Sequence, residues 1–364
     1  MLRRRVKARV ATLLHLSAAD TMLGTVSSAR RLPTIFGYHR VVEDVRAYAE
    51  WAIPAIFTSR AMFEQHLDWI TNCYQIVSLD ELASRLQAGE PVDARMAAIT
   101  FDDGYQDVYE HAFPVLRQRG LPAAVFVVTD VIGTDRVLLH DWLYLLLARG
   151  FRQWRTPWPA LRQILASIDI QPPKGLAPDS RDPFVVMRAL FTRLPQSELE
   201  RLVARLKQDM QVEPRAASSF LTCTWAMLAE MSRGGIAVGS HTRTHALLTN
   251  ESPSRVRDEI AGSKALIEEK LGQPASYFAY PDGRFDVGTV QAVATAGYRL
   301  AFTTCQHRDP EAPHLTLPRR LLWENACTED SGQFSPMVMS CHVNGVFDLW
   351  TRCRQDHGWR ARRR

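Results

Sequence analysis

The chain has 364 residues, 46% of them hydrophobic, enough for a large core and for either two average domains or one α/β barrel with insertions. Charged residues make up an ordinary 23%, which excludes wholesale disorder, and the net charge of +5 is concentrated in the two ends, MLRRRVKARV and WRARRR. No stretch approaches the roughly 18 uninterrupted apolar residues of a membrane span, and no zinc-finger, RNA-recognition or helix-turn-helix pattern accompanies the basic ends, so nucleic acid is not an expected partner.

Residues 1–29 read as a basic, partly amphipathic helix, because His15 and Asp20 interrupt the apolar run that a secretory signal needs. The basic ends are either solvated tails or peripheral contacts with an anionic membrane, where clustered Lys and Arg gain about 1 kcal/mol each. The location this favours is cytoplasmic or membrane-peripheral. A first strand ends at His39, in Phe36-Gly37-Tyr38-His39-Arg40. Phe63, Leu67 and Ile70 recur at helical spacing, and Ser78 with Glu81 forms a capping box. Residues 96–101 read as a strand, 106–119 as a helix closed by Gly120, and 123–129 as the next strand, a βαβ unit that implies parallel strands. A largely helical insertion is expected over about 143–220, with Leu199, Leu202, Leu206 and Met210 in register. Strand 236–240, helix 254–271, strand 277–280, helix 287–296 and strand 298–303 follow. Such alternation suggests a barrel or a doubly wound sheet. The six cysteines form no C-x-x-C pair and match no zinc-ribbon spacing, so free thiols and a reducing compartment are expected.

Two clusters carry chemistry. Thr100-Phe101-Asp102-Asp103-Gly104 puts two carboxylates at a strand end, where Asp-Asp-Gly could equally start a turn. Gly239-Ser240-His241-Thr242-Arg243-Thr244-His245 puts two histidines four residues apart, on one face if the chain turns helically after the strand. One Asp with two His leaves open positions, the pattern of a catalytic zinc site, and a bound cation can supply hydroxide at neutral pH. Phe278-Ala279-Tyr280-Pro281-Asp282-Gly283 reads by itself as a strand followed by a turn.

In this order the segments resemble the polysaccharide deacetylase family, also called carbohydrate esterase family 4 or the NodB-homology domain, over roughly residues 33–325. The resemblance implies an α/β fold, a distorted (β/α) barrel with the helical insertion, organised as a basic segment 1–29, a catalytic domain 30–330 and a C-terminal tail 331–364. It implies a divalent metal, usually zinc, held by Asp103, His241 and His245, with Asp102 as the general base and a backbone amide near Tyr280 stabilising the oxyanion. The late Leu-x-His acid of many members is missing, which makes His39 the candidate acid. Ala279 stands where an arginine often braces the base, and Arg319 is the candidate substitute. Asp141 and Trp142 fall where a Trp-Asp pair is common and are candidate groove residues. The implied activity is removal of acetyl groups, N-acetyl first, from a polysaccharide or lipid-linked glycan. An O-acetyl esterase, another amide hydrolase or a catalytically impaired carbohydrate-binding relative are the alternatives.

Overall fold

The computed structural model describes residues 2–28, 33–48, 53–90, 93, 95–173, 180–210, 219–349, 353, 355, 357 and 358. The barrel strands are short apolar runs: β1 (Thr34–Tyr38), β5 (Met96–Phe101), β6 (Ala123–Val127), β7 (Ile236–Ser240), β8 (Tyr277–Ala279), β9 (Leu300–Thr303) and β10 (Leu317–Leu321). β2 (Arg40–Val42) pairs with β3 (Phe57–Ser59) apart from them, and β4 (Gln75–Ile76) pairs with the start of β5. Going round the barrel the order is β1, β10, β9, β8, β7, β6, β5, every pair is parallel, and β1 pairs with both β10 and β5. The result is a closed seven-stranded parallel barrel with flanking helices.

Strands buried on both faces read as continuous apolar runs, as β5 and β6 do. Their alternate residues separate cleanly. Ile35, Ala98, Ala124, Phe126, Ala279, Leu300, Phe302 and Leu317 fill the interior, whereas Phe36, Ile99, Phe101, Val125 and Val238 pack outward under the helices. Phe126 and Phe302, with ring centroids 5.4 Å apart, plug the middle. Gly239 makes room for them, since a Cβ there would meet the Phe126 ring at 2.7 Å.

The insertion lies between β6 and β7. Its helices Leu139–Gln153, Pro157–Ser167, Pro183–Phe191 and Gln196–Asp209 share an apolar core of their own, including Leu143, Leu161, Leu190, Leu202 and Leu206. The first helix begins at 139, earlier than the expected 143, and so carries His140 and Asp141 in its first turn.

The expected terminal boundaries need correction. Helix Pro336–Val343 is no tail, because Val338, Met339 and Cys341 belong to the same buried cluster as Phe36 and Phe63. The basic N-terminal helix Leu2–Leu16 docks on it. Ala11 is buried and its carbonyl accepts from the Cys341 thiol, Lys7 Nζ donates to the Ala326 carbonyl at 2.8 Å, and Ser340 Oγ donates to Asp20 at 2.6 Å. Leu13 and Leu16 remain exposed. Among the described residues no helix is long and apolar enough to cross a membrane. The sequence WRARRR lies outside the described residues.

Candidate active site

All barrel strands run the same way, so the residues that follow β1, β5, β7 and β8 gather at one rim, the C-terminal one. The ladder continues one residue past β5, where the Asp102 amide donates to the Tyr38 carbonyl at 2.9 Å. The chain then turns sharply through two left-handed residues, Asp103 (φ 71°) and Gly104 (φ 73°). Gly104 has no alternative, because a Cβ would also press on Val127 at 3.0 Å. A left-handed aspartate costs about 1–2 kcal/mol, and here the turn aims the two carboxylates at different partners.

Asp103 meets the histidines. Its Oδ1 lies 3.3 Å from His245 Nε2 and 3.6 Å from His241 Nε2, and all three residues are buried. The loop that brings the histidines together is not helical. After β7 it is irregular, with Thr242 (φ 69°) and His245 (φ 63°) both left-handed. The buried Glu259 holds this loop by accepting from the Arg243 amide (2.8 Å), the Thr244 amide (2.9 Å) and Thr244 Oγ1 (2.7 Å). His241 Nδ1 donates to the Ala279 carbonyl at 2.7 Å, which leaves the Nε2 lone pair facing Asp103. Burial lowers His241 to about 4, so its ring is neutral at pH 7. Burial alone would raise Asp103, but the histidines around it, His245 first and then His140, hold it well below the usual carboxylate range.

This donor set fits a divalent cation. A tetrahedral ion with arms of about 2.0–2.2 Å places its ligand atoms about 3.3–3.6 Å apart. The spacings from Asp103 match, and Asp103 Oδ1 is a buried acceptor with no hydrogen-bond partner.

Asp102 turns the other way, to Arg319 on β10. Nη1 and Nη2 each donate to one carboxylate oxygen at 2.6 Å, and the guanidinium is wholly buried. Burial pushes Asp102 up, but Arg319 and then His241 outweigh it and keep the group ionised. His39 follows β1, 22% exposed, with Nε2 3.9 Å from Asp102 Oδ2.

Two expected positions fall elsewhere. The Tyr280 amide is already committed to the Phe302 carbonyl at 3.0 Å and its ring is buried, so it offers no donor to an oxyanion. The cause is that the β8–β9 ladder runs one residue past Ala279. Trp142 packs against the apolar core of the insertion, with Lys207 Nζ 3.6 Å from its ring centroid. Asp141 does reach the cluster's surroundings. Tyr105 Oη donates to Asp141 Oδ2 at 2.7 Å and lies 3.1 Å from His140 Nε2, and the His140 ring sits 4.5 Å from that of His245. Burial raises Asp141 to about 7 and lowers His140 to about 3.

Four neighbours were not singled out by the sequence reading. His140 and Phe191 wall the cluster, Phe191 stacking on His245 at 5.7 Å between centroids. Glu259 ties the histidine loop. Arg40, next to His39, is buried among Tyr48, Phe57, Tyr105 and Phe220 and pairs with Asp107 at 2.6 Å. A histidine just before an expected helix was the available signal for His140. An arginine one place after a candidate catalytic histidine was the signal for Arg40.

A closed seven-stranded parallel barrel of this kind has known relatives. The chain belongs to the polysaccharide deacetylase family, whose model matches residues 89–167 and 197–301, just over half of it. It is 22% identical to the Bacillus subtilis (strain 168) protein YxkH over 243 residues, 66% of this chain and 57% of that one. It is 33% identical over 133 residues to the poly-beta-1,6-N-acetyl-D-glucosamine N-deacetylase of Escherichia coli (strain K12), 36% of this chain and 18% of that one. Neither match spans two thirds of the relative's length. Among solved structures, the Streptococcus pyogenes deacetylase PplD in complex with acetate superposes with a TM-score of 0.52 at 20% identity, over 84% of this chain and 96% of that one.

Proposed function

We propose that the chain hydrolyses N-acetyl groups on a polysaccharide, with Asp102 as general base and Asp103, His241 and His245 holding a zinc ion. The observation that carries this reading is the division of labour between adjacent carboxylates, one facing two histidines and the other locked to Arg319. A divalent cation at the triad would supply Lewis acidity, polarising the acetyl carbonyl and acidifying a water.

The side chains then do the proton work. Asp102 stays ionised and accepts the proton of the attacking water, while the two-point Arg319 pair fixes its orientation. As the C–N bond breaks, the departing sugar nitrogen takes up a proton. His39 stands beside Asp102 and is partly open to solvent. His140 is a poorer donor, because burial keeps it neutral down to about 3. With the Tyr280 amide engaged, an oxyanion would draw on the cation site and on another backbone amide near Tyr280. Arg319 on β10, bonded to both oxygens of Asp102, supports this reading over that of an impaired relative, since Ala279 offers no cation.

The E. coli relative's name makes poly-β-1,6-N-acetylglucosamine the first substrate to try. Acetate release with appearance of free amine separates N- from O-deacetylation. Asp102→Asn should lower kcat by about 10²–10⁴-fold while retaining zinc. Full turnover by this variant on a verified substrate would sink the mechanism.

A further inference from the structure

Away from the rim triad, four ligating side chains converge from two distant parts of the chain. Cys305 and His307 follow β9, and Cys353 and His357 lie near the C-terminus, with one ligand atom from each within 4.8 Å of the others. His357 Nε2 is 3.6 Å from Cys305 Sγ and 3.5 Å from Cys353 Sγ. A tetrahedral zinc with S arms of about 2.3 Å and N arms of about 2.0–2.1 Å has S···N edges of about 3.6 Å. The surroundings suit ligation. His357 Nδ1 donates to the Phe285 carbonyl at 2.9 Å, which turns the Nε2 lone pair toward the sulfurs. The Gln355 amide donates to Cys353 Sγ at 3.5 Å, and the His307 amide donates to Cys305.

We infer that Cys305, His307, Cys353 and His357 form a second, structural zinc site. Two cysteines and two histidines complete a tetrahedron and leave no position for substrate, so the site is a fastener. It clamps the chain at Cys353 and His357 onto the barrel rim. His357 already touches the loop after β8: Phe285 stacks on His357 at 4.2 Å between centroids, and the Val287 amide donates to the His357 carbonyl at 3.2 Å. The same loop carries Asp282, whose carbonyl accepts from Thr304 beside Cys305 and whose carboxylate pairs with Arg188 of the insertion. Binding releases the two thiol protons to solvent.

The thiolate readout of this inference does not depend on the catalytic reading, whereas the count of two zinc ions does. The full chain, purified under reducing conditions, loaded with zinc and desalted, should carry two zinc ions per chain. Cys353→Ser should carry one, and so should His241→Ala, for different reasons. Cobalt(II) loading tells the two sites apart: a thiolate-to-cobalt charge-transfer band should be present in wild type and in His241→Ala and absent in Cys353→Ser. Should the cysteine variant fail to fold, zinc-edge X-ray absorption of His241→Ala should still show two sulfur neighbours. A single zinc without a thiolate band in wild type, a band unchanged in Cys353→Ser, or a Cys305–Cys353 disulfide in the loaded protein would each overturn the inference.

Discussion

Asp102 and Asp103 are adjacent in sequence yet serve different partners, and the left-handed turn through Asp103 and Gly104 accounts for it. The Asp103–His241–His245 cluster was legible because its parts are short local patterns at strand ends. Arg319 was legible only as a candidate, since it lies 217 residues from Asp102 and the closure of β10 onto β1 alone brings them together. The engagement of the Tyr280 amide was not legible, because ladder length depends on the partner strand. Arg319 gives a sharp test. Arg319→Ala leaves Asp102 buried without its cation, and breaking a buried pair from one side costs about 3–5 kcal/mol. Chemical denaturation should show that loss. The pH profile of kcat should also shift upward, since Asp102 loses what holds its proton affinity down. Loss of stability with an unmoved profile would limit Arg319 to a structural role.

At the scale of elements, short apolar runs marked six of the seven barrel strands but not β10, whose Pro318, Arg319 and Arg320 interrupt any such run, and the period of the insertion's helices was readable. Two details were not. The helices Val108–Gln118 and Pro253–Leu271 each contain a π turn, at Val108–Ala112 and Asp258–Gly262. One extra residue in a turn leaves the apolar pattern almost unchanged. Glu259 lies in the second π turn, fully buried, where an amphipathic reading assigns a glutamate to solvent. It receives three hydrogen bonds from the loop between His241 and His245 and pairs with Arg255 at 2.7 Å. Glu259→Gln keeps the shape but turns half of that acceptor into a donor. Partners of this outer kind typically change metal affinity by about 10–100-fold. Competition with a chelator should therefore show zinc at the triad weakened by that order, with the cobalt–thiolate band unaffected. Unchanged affinity would show that the loop holds its shape without Glu259.

At the scale of the whole molecule, the sequence could not show that the ends return to the core, because helix Pro336–Val343 is too short for a strong periodic pattern and its partner Leu2–Leu16 lies more than 300 residues away. That packing buries titratable rings. His66, in helix Arg60–Cys73, is lowered to about 3 by burial and then by His342. His342 itself is lowered to about 4 by burial and then by Arg320 and Lys7. His66 Nε2 has no hydrogen-bond partner, and Tyr38 Oη lies 3.3 Å from its Nδ1, so the fold offers little to a second ring proton. Unfolded histidine titrates near 6.5. Between 6.5 and the lowered values the unfolded chain therefore binds more protons, and stability must fall as pH falls. The contribution is complete above about pH 6.5 and declines through pH 4, by up to ~3 kcal/mol for His66 by that point. His66→Phe keeps an aromatic ring against Tyr38 and Phe334 and removes the proton site. Denaturant midpoints from pH 7 to pH 4 should fall less steeply for the variant than for the parent chain. Parallel curves would mean that the acid sensitivity arises elsewhere, with the metal-site histidines the next groups to test.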